Sequence, residues 1–145
     1  MKNLLLILSI LFFSFTIISC SSDRGSSNTS NTNNNYSTYS DNGTRFTVTV
    51  SSSKYYIDGI LTKSLTLKKG YTYFFDSTDS TSNSHPLFIG TISTGGSYTY
   101  EYTSGVTKSR TTSETLTFVV PSDSPSTLYY NCGNHAVMGG TITIM

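Results

Sequence analysis

The chain has 145 residues, 36% of them hydrophobic and 12% charged, with a formal net charge of +1. It carries no basic stripe, no aromatic–basic interleaving and no acidic run, which argues against nucleic acid or a strongly charged partner. From Gly43 to Met145 there is length for one domain with one core, and not for two.

Lys2 supplies a positive charge, and Leu4 to Ile18 is almost wholly apolar, broken by Ser9, Ser14 and Thr16. The run is too short for a comfortable membrane span and has the shape of a secretory signal. It ends Ile17-Ile18-Ser19-Cys20. This resembles the lipobox of bacterial lipoproteins, in which a small residue precedes a cysteine that is lipidated and becomes the new N-terminus. The resemblance implies a lipoprotein signal peptide over residues 1–19, lipidation at Cys20, and an anchor in the bacterial cell envelope, on the periplasmic face or the cell surface. One acyl chain binds a membrane marginally; the three that such a cysteine normally carries imply a permanent tether. Ser21 to Asn42 is mostly Ser, Asn and Thr and cannot bury enough surface to offset its ordering entropy. Residues 20–42 are therefore expected to be the lipidated Cys and a flexible tether, and residues 43–145 the folded domain.

Within that domain Thr, Tyr, Val, Ile and Phe are plentiful, which favours strands. Phe46 to Val50 alternates at period two. Tyr55-Tyr56-Ile57 ends in the turn pair Asp58-Gly59, and Leu65-Thr66-Leu67 stops at Lys69-Gly70. Tyr71 to Phe75 follows, then a polar loop from Asp76 to Ser84, then Leu87-Phe88-Ile89 closed by Gly90. Tyr98 to Tyr102 alternates between Gly95-Gly96 and Gly105. Leu116 to Val120 runs into Pro121, Leu128-Tyr129-Tyr130 leads to Cys132, and Thr141 to Ile144 closes the chain. No helical spacing of apolar residues persists. Eight or nine short strands with turn signals between them predict an all-β, antiparallel sandwich or barrel. With no Trp, its core must lean on Tyr and Phe.

The chemistry lies in a few rare residues. His85 and His135 are the two histidines of the chain, Cys132 is the one cysteine after Cys20, and Met138 is the one internal methionine. Three of them share Cys132-Gly133-Asn134-His135-Ala136-Val137-Met138; His85 opens a strand after a polar loop. Singly, each has an ordinary structural use. Jointly they make a soft thiolate, two imidazoles and a thioether, the set that suits copper: two His and one Cys in a plane, with a weak Met on the axis. A free thiol is also a liability in an oxidising compartment unless burial or a metal protects it. Zinc also accepts Cys and His, but would leave the methionine spacing an accident. A binuclear copper centre needs a second loop cysteine, and a copper reductase or oxidase needs more histidines; neither is present.

Cys-x2-His-x2-Met before a final strand, with an upstream His opening a short strand, resembles the cupredoxins, with the ligand spacing of the amicyanin type. The likeness extends over Leu65 to Phe75, Ser84 to Ile89 and Pro125 to Gly140. It implies a Greek-key β-sandwich and one type 1 copper per domain, held by His85 and His135 through Nδ1, by Cys132 as thiolate, and by Met138 axially. Most members have Asn after the first His, its N–H bonding the sulfur, and the amicyanin and plastocyanin loops have Pro just before the second. Here these positions are Pro86 and Asn134; Pro86 has no N–H to give, while Asn134 keeps its own. The function implied is a one-electron carrier, not an enzyme, with redox partner proteins docking near His135 on a small apolar patch of Ala136, Val137, Gly139, Gly140, Pro86 and Leu87. Copper storage or delivery, or a structural sandwich with a vestigial site, stay open as alternatives. Glu101 and Glu114, the two glutamates, sit in no recognisable catalytic constellation.

Overall fold

Wherever apolar and polar side chains alternate at period two, a strand can bury one face and leave the other in water, and all but one of the alternating segments do so. A computed structural model of the chain describes residues 43–145; the expected signal peptide, lipidation at Cys20 and expected tether fall outside the described residues. The strands are β1 (Thr44–Ser51), β2 (Lys54–Ile57), β3 (Ile60–Leu61), β4 (Leu65–Leu67), β5 (Thr72–Asp76), β6 (Leu87–Gly90), β7 (Val106–Thr107), β8 (Thr115–Val119), β9 (Thr127–Cys132) and β10 (Gly139–Ile144). They form two sheets, ordered β3-β2-β1-β5-β8-β7 and β4-β10-β9-β6.

The core is what the alternation implies. Phe46 and Val48 of β1, Tyr55 and Ile57 of β2, Phe75 of β5, and Leu116 and Phe118 of β8 belong to one buried cluster. Leu65 and Leu67 of β4, Leu87 and Ile89 of β6, Leu128 and Tyr130 of β9, and Ile142 and Ile144 of β10 belong to it too, as do Cys132 and Met138. Each full burial contributes roughly 1.5–3 kcal/mol before entropy is counted. Tyr55 and Tyr130 meet edge to face at 6.2 Å, so tyrosine does occupy the place a tryptophan might.

Two expectations need correction. First, the sheets are mixed: β1 pairs parallel with β5, and β4 parallel with β10. Both pairs join strands far apart in sequence, and chains that leave a sheet and return by a long connection can pair either way. Second, Tyr98 to Tyr102 is not a strand; its ladder contact is an isolated bridge from Glu101 to Gly90. Local bonds win there: Thr99 N donates to Ser97 Oγ at 3.2 Å, and Glu101 N to Tyr98 O at 3.1 Å. Asp58-Gly59 ends β2, as the sequence implies, and turns the chain back into β3. Both residues have left-handed φ, 51° and 76°, as a two-residue turn of this hand requires.

Candidate metal centre

Register decides where the four predicted ligand residues fall. Across β9, Asn131 faces Gly139 of β10, and Cys132 faces Leu87 of β6. The end of β9, the start of β10 and the residues before β6 therefore meet at one end of the four-stranded sheet. His85 follows a single 3₁₀ turn, Ser80–Ser82, capped by Asp79, whose Oδ1 accepts from Thr81 N at 2.9 Å. The turn leads directly to the histidine, whose N–H donates to Ser82 O at 2.8 Å. Cys132 is the last residue of β9, and residues 133–138 turn back to β10. That loop is closed by Cys132 N donating to Met138 O at 2.9 Å.

Both histidines turn Nδ1 toward the sulfur. Cys132 Sγ lies 3.5 Å from His135 Nδ1 and 3.9 Å from His85 Nδ1. The imidazole centroids are 4.7 Å apart with their planes 33° from parallel, and the three ligand atoms lie within 4.8 Å of one another. Cys132 is fully buried, and the two imidazoles are partly buried. Met138 is fully buried at the far end of the loop. The spacing can be checked against a bound ion. Bonds of about 2.3 Å to sulfur and about 2.0 Å to nitrogen, at trigonal angles, separate the donors by about 3.7 Å. The observed 3.5 and 3.9 Å bracket that value, so the sulfur stands from each imidazole at the spacing a shared metal ion would set.

The electrostatics agree. Desolvation, and then the neighbouring His135, push the His85 imidazole below its ordinary value of 6.5. Neutral imidazole is the form that ligates.

Sequence reasoning missed the residues that hold this end in shape. Tyr55, fully buried on β2, donates its hydroxyl to His85 O at 2.7 Å. Burial, and then the nearby Cys132, hold its phenol well above the usual range. Gly96 N donates to Cys132 O at 2.8 Å. A side chain on Gly95 would meet Cys132 O at 2.5 Å and His135 O at 2.6 Å, so the loop is backed by glycine because nothing larger fits. The Tyr98 ring occupies the space beside Gly133. It packs edge-on to Phe88 at 5.2 Å, under the Arg110 guanidinium at 4.2 Å. Arg110 in turn binds the Glu101 carboxylate through Nη2 at 2.6 Å and Nε at 3.0 Å. The adjacent glycines at 95 and 96 are the one signal of this backing in the sequence.

The expected apolar patch is smaller than predicted. Leu87 is fully buried in the core and Pro86 is buried, because the β6–β9 pairing turns them inward. Ala136 and Val137 remain exposed, Val137 at 70%.

No protein-family model matches the chain, and no curated protein does. Solved structures do. Reduced rusticyanin is 16% identical with a TM-score of 0.47, over 74% of this chain and 82% of that one. Rusticyanin from Thiobacillus ferrooxidans is also 16% identical with a TM-score of 0.45, over 74% and 80%. A reduced variant of amicyanin is 13% identical with a TM-score of 0.41, over 74% and 87%. The fold itself is two mixed β-sheets that share one core, with His85, Cys132 and His135 gathered at one end of β9. Of the four residues expected from sequence, the structure brings His85, Cys132 and His135 together as a group able to hold a metal ion.

Proposed function

We propose that the chain is a type 1 copper protein that carries one electron at a time, tethered to the bacterial cell envelope through Cys20. The observation that carries the reading is the convergence of His85 Nδ1 and His135 Nδ1 on Cys132 Sγ. A thiolate with two imidazoles is a soft, trigonal donor set of the kind copper favours. Met138, buried where the loop rejoins β10, would offer a thioether sulfur as a further, weak donor. Bound there, copper would supply reversible one-electron chemistry between its cuprous and cupric states.

The chain's own residues do the rest. β6 and β10 flank β9 and fix Cys132 in register. The Cys132–Met138 backbone bond and Gly96 N hold the loop from two sides. A donor set held this firmly has little freedom to rearrange when charge changes, which favours fast transfer. His135, partly exposed beside Ala136 and Val137, offers the edge on which a redox partner would dock, in a small and brief encounter. With a balanced charge, docking should depend weakly on salt. Both glutamates are committed elsewhere, Glu101 to Arg110 and Ser109, and Glu114 to Lys108, which supports a carrier over an enzyme. The basic, apolar N-terminus ending Ser19-Cys20 supports the envelope location and the tether.

The test is the visible and electron paramagnetic resonance spectrum of the full chain, purified in detergent without metal and titrated with Cu(II). An intense thiolate-to-copper band at one equivalent with narrow hyperfine splitting, lost in Cys132→Ser, is expected. No band, or a weak signal of ordinary cupric type, would sink the electron-carrier reading. Growth in acyl-labelling medium, with label on the wild type and none on Cys20→Ala, tests the tether separately.

A further inference from the structure

The segment that carries His85 is held in an unusual way. The carbonyl groups of three consecutive residues each accept a hydrogen bond from elsewhere in the fold. Ser84 O accepts from Asn134 Nδ2 at 3.0 Å, His85 O from Tyr55 Oη at 2.7 Å, and Pro86 O from Gly133 N at 2.8 Å. Pro86 has no N–H, so this strap is anchored through its oxygens. Two of the three donors belong to the loop that carries Cys132 and His135.

We propose that Asn134 is a positioning residue of the centre, clasping the two histidine-bearing segments so that both imidazoles are set before metal arrives. The proposal rests on the metal-binding reading above. Ser84 directly precedes His85, and Asn134 directly precedes His135. The Asn134–Ser84 bond thus ties the chain just before one imidazole to the chain just before the other. Among the described residues it is the hydrogen bond by which a non-ligand side chain joins these two segments. The chemistry asks for asparagine: a short planar arm with an N–H donor aimed at a carbonyl oxygen. Aspartate would set a charged acceptor against that oxygen, and alanine would leave it to water. Asn134 is exposed, so its bond adds little to the fold as a whole. What it constrains is local. The two rings stand 4.7 Å apart, so a small shift of either segment changes the spacing between the two imidazoles.

Asn134→Ala and Asn134→Asp in the full chain test this with two readouts. In metal-free protein, amide hydrogen exchange at Gly133 and His85 should quicken by about threefold to tenfold in both variants, with Phe75 in the core unchanged. In the copper-loaded protein, apparent Cu(II) affinity measured against a competing chelator should fall about 10- to 100-fold, the range for loss of a group that orients a ligand. The hyperfine splitting should widen as the ligands lose their fixed geometry. Wild-type exchange and wild-type affinity in both variants would overturn the proposal. So would a lower thermal midpoint with exchange and affinity unmoved, since that pattern describes a merely structural residue. If the wild type forms no thiolate band, the metal reading is what fails. The exchange rates at Gly133 and His85 then decide alone whether Asn134 clasps the two segments.

Discussion

Tyr55→Phe removes one hydroxyl beside the centre and leaves the ring in place. The ring is fully buried and would stay packed against Tyr130; what goes is the hydroxyl that donates to His85 O at 2.7 Å. Water cannot readily take its place at a site with no exposure, so the carbonyl loses its partner, at a cost of about 1–3 kcal/mol. Burying phenylalanine is easier than burying tyrosine, which offsets part of this and leaves about 1–2 kcal/mol. For a domain of about this size each kcal/mol moves the thermal midpoint by roughly 4–8 °C. The metal-free variant should therefore unfold about 5–15 °C below the wild type, followed by circular dichroism. The copper site should feel the change as well, because His85 loses the anchor on its own carbonyl. A midpoint within about 2 °C of the wild type would show that His85 O finds another donor and that β2 does not brace the centre.

Other perturbations follow from the same geometry. Gly95→Ala sets a methyl against Cys132 O and His135 O, and overpacking of that kind costs about 1–3 kcal/mol; Gly133→Ala meets the Tyr98 ring tip, which can swing aside. A copper band disturbed more by Gly133→Ala than by Gly95→Ala would contradict this ranking. Val137, β-branched at φ 51°, sits in a conformation that favours glycine. Val137→Gly should raise stability by about 0.5–1 kcal/mol while slowing exchange with a redox partner, read by chemical denaturation and stopped flow. Acid should loosen the metal-free protein in two steps. His85 is held below its ordinary 6.5, so the unfolded chain takes up its proton first and stability falls as pH drops below 6.5 toward the lowered value. Burial pushes Glu101 up, but bonds from Arg110 and Ser109 outweigh it and hold the carboxyl below 4.5, so its contribution is present above 4.5 and lost beneath it. Arg110→Ala should weaken the fold at neutral pH and flatten the second step; an unchanged profile between pH 4.5 and 2.5 would refute this role for the pair.

How much of this could be read from residues alone depends on how each residue earns its place. β1, β5, β8, β9 and β10 announce themselves because one face is buried along several residues, and burial leaves a period-two trace. β3 and β7 are two residues each, too short to hold a pattern. The parallel pairings of β1 with β5 and β4 with β10 are set by how the sheets close, which no local spacing records. Tyr98 to Tyr102 carries the same alternation as a strand, and differs in what its side chains bond. His85, Cys132 and His135 were legible because histidine and cysteine are rare here and their spacing narrow. Asn134 was visible inside the Cys132–Met138 loop, but its bond to Ser84 O leaves no trace in sequence. Tyr55 and Gly95 are common residue types in unremarkable positions. Only the register of β6 against β9, and the approach of β2 from the other sheet, makes them neighbours of the centre.

That contrast bears on what shapes the site. A ligand loop could be ordered by its metal, in which case the surrounding chain would hold few bonds to it. Here the loop is fixed repeatedly by groups that ligate nothing. Gly96 N holds Cys132 O, Gly133 N holds Pro86 O, and Lys54 Nζ holds Val137 O at 3.0 Å. Val137 keeps a strained φ within that frame, and strain of this kind persists where its surroundings over-determine the backbone. The shape is therefore the scaffold's. Apo and copper-loaded protein should differ little in amide exchange across residues 132–138, apart from the ligands themselves. Broad protection that appears in this loop only when copper binds would mean that the metal orders it, and the case for a site set in advance would fail with it.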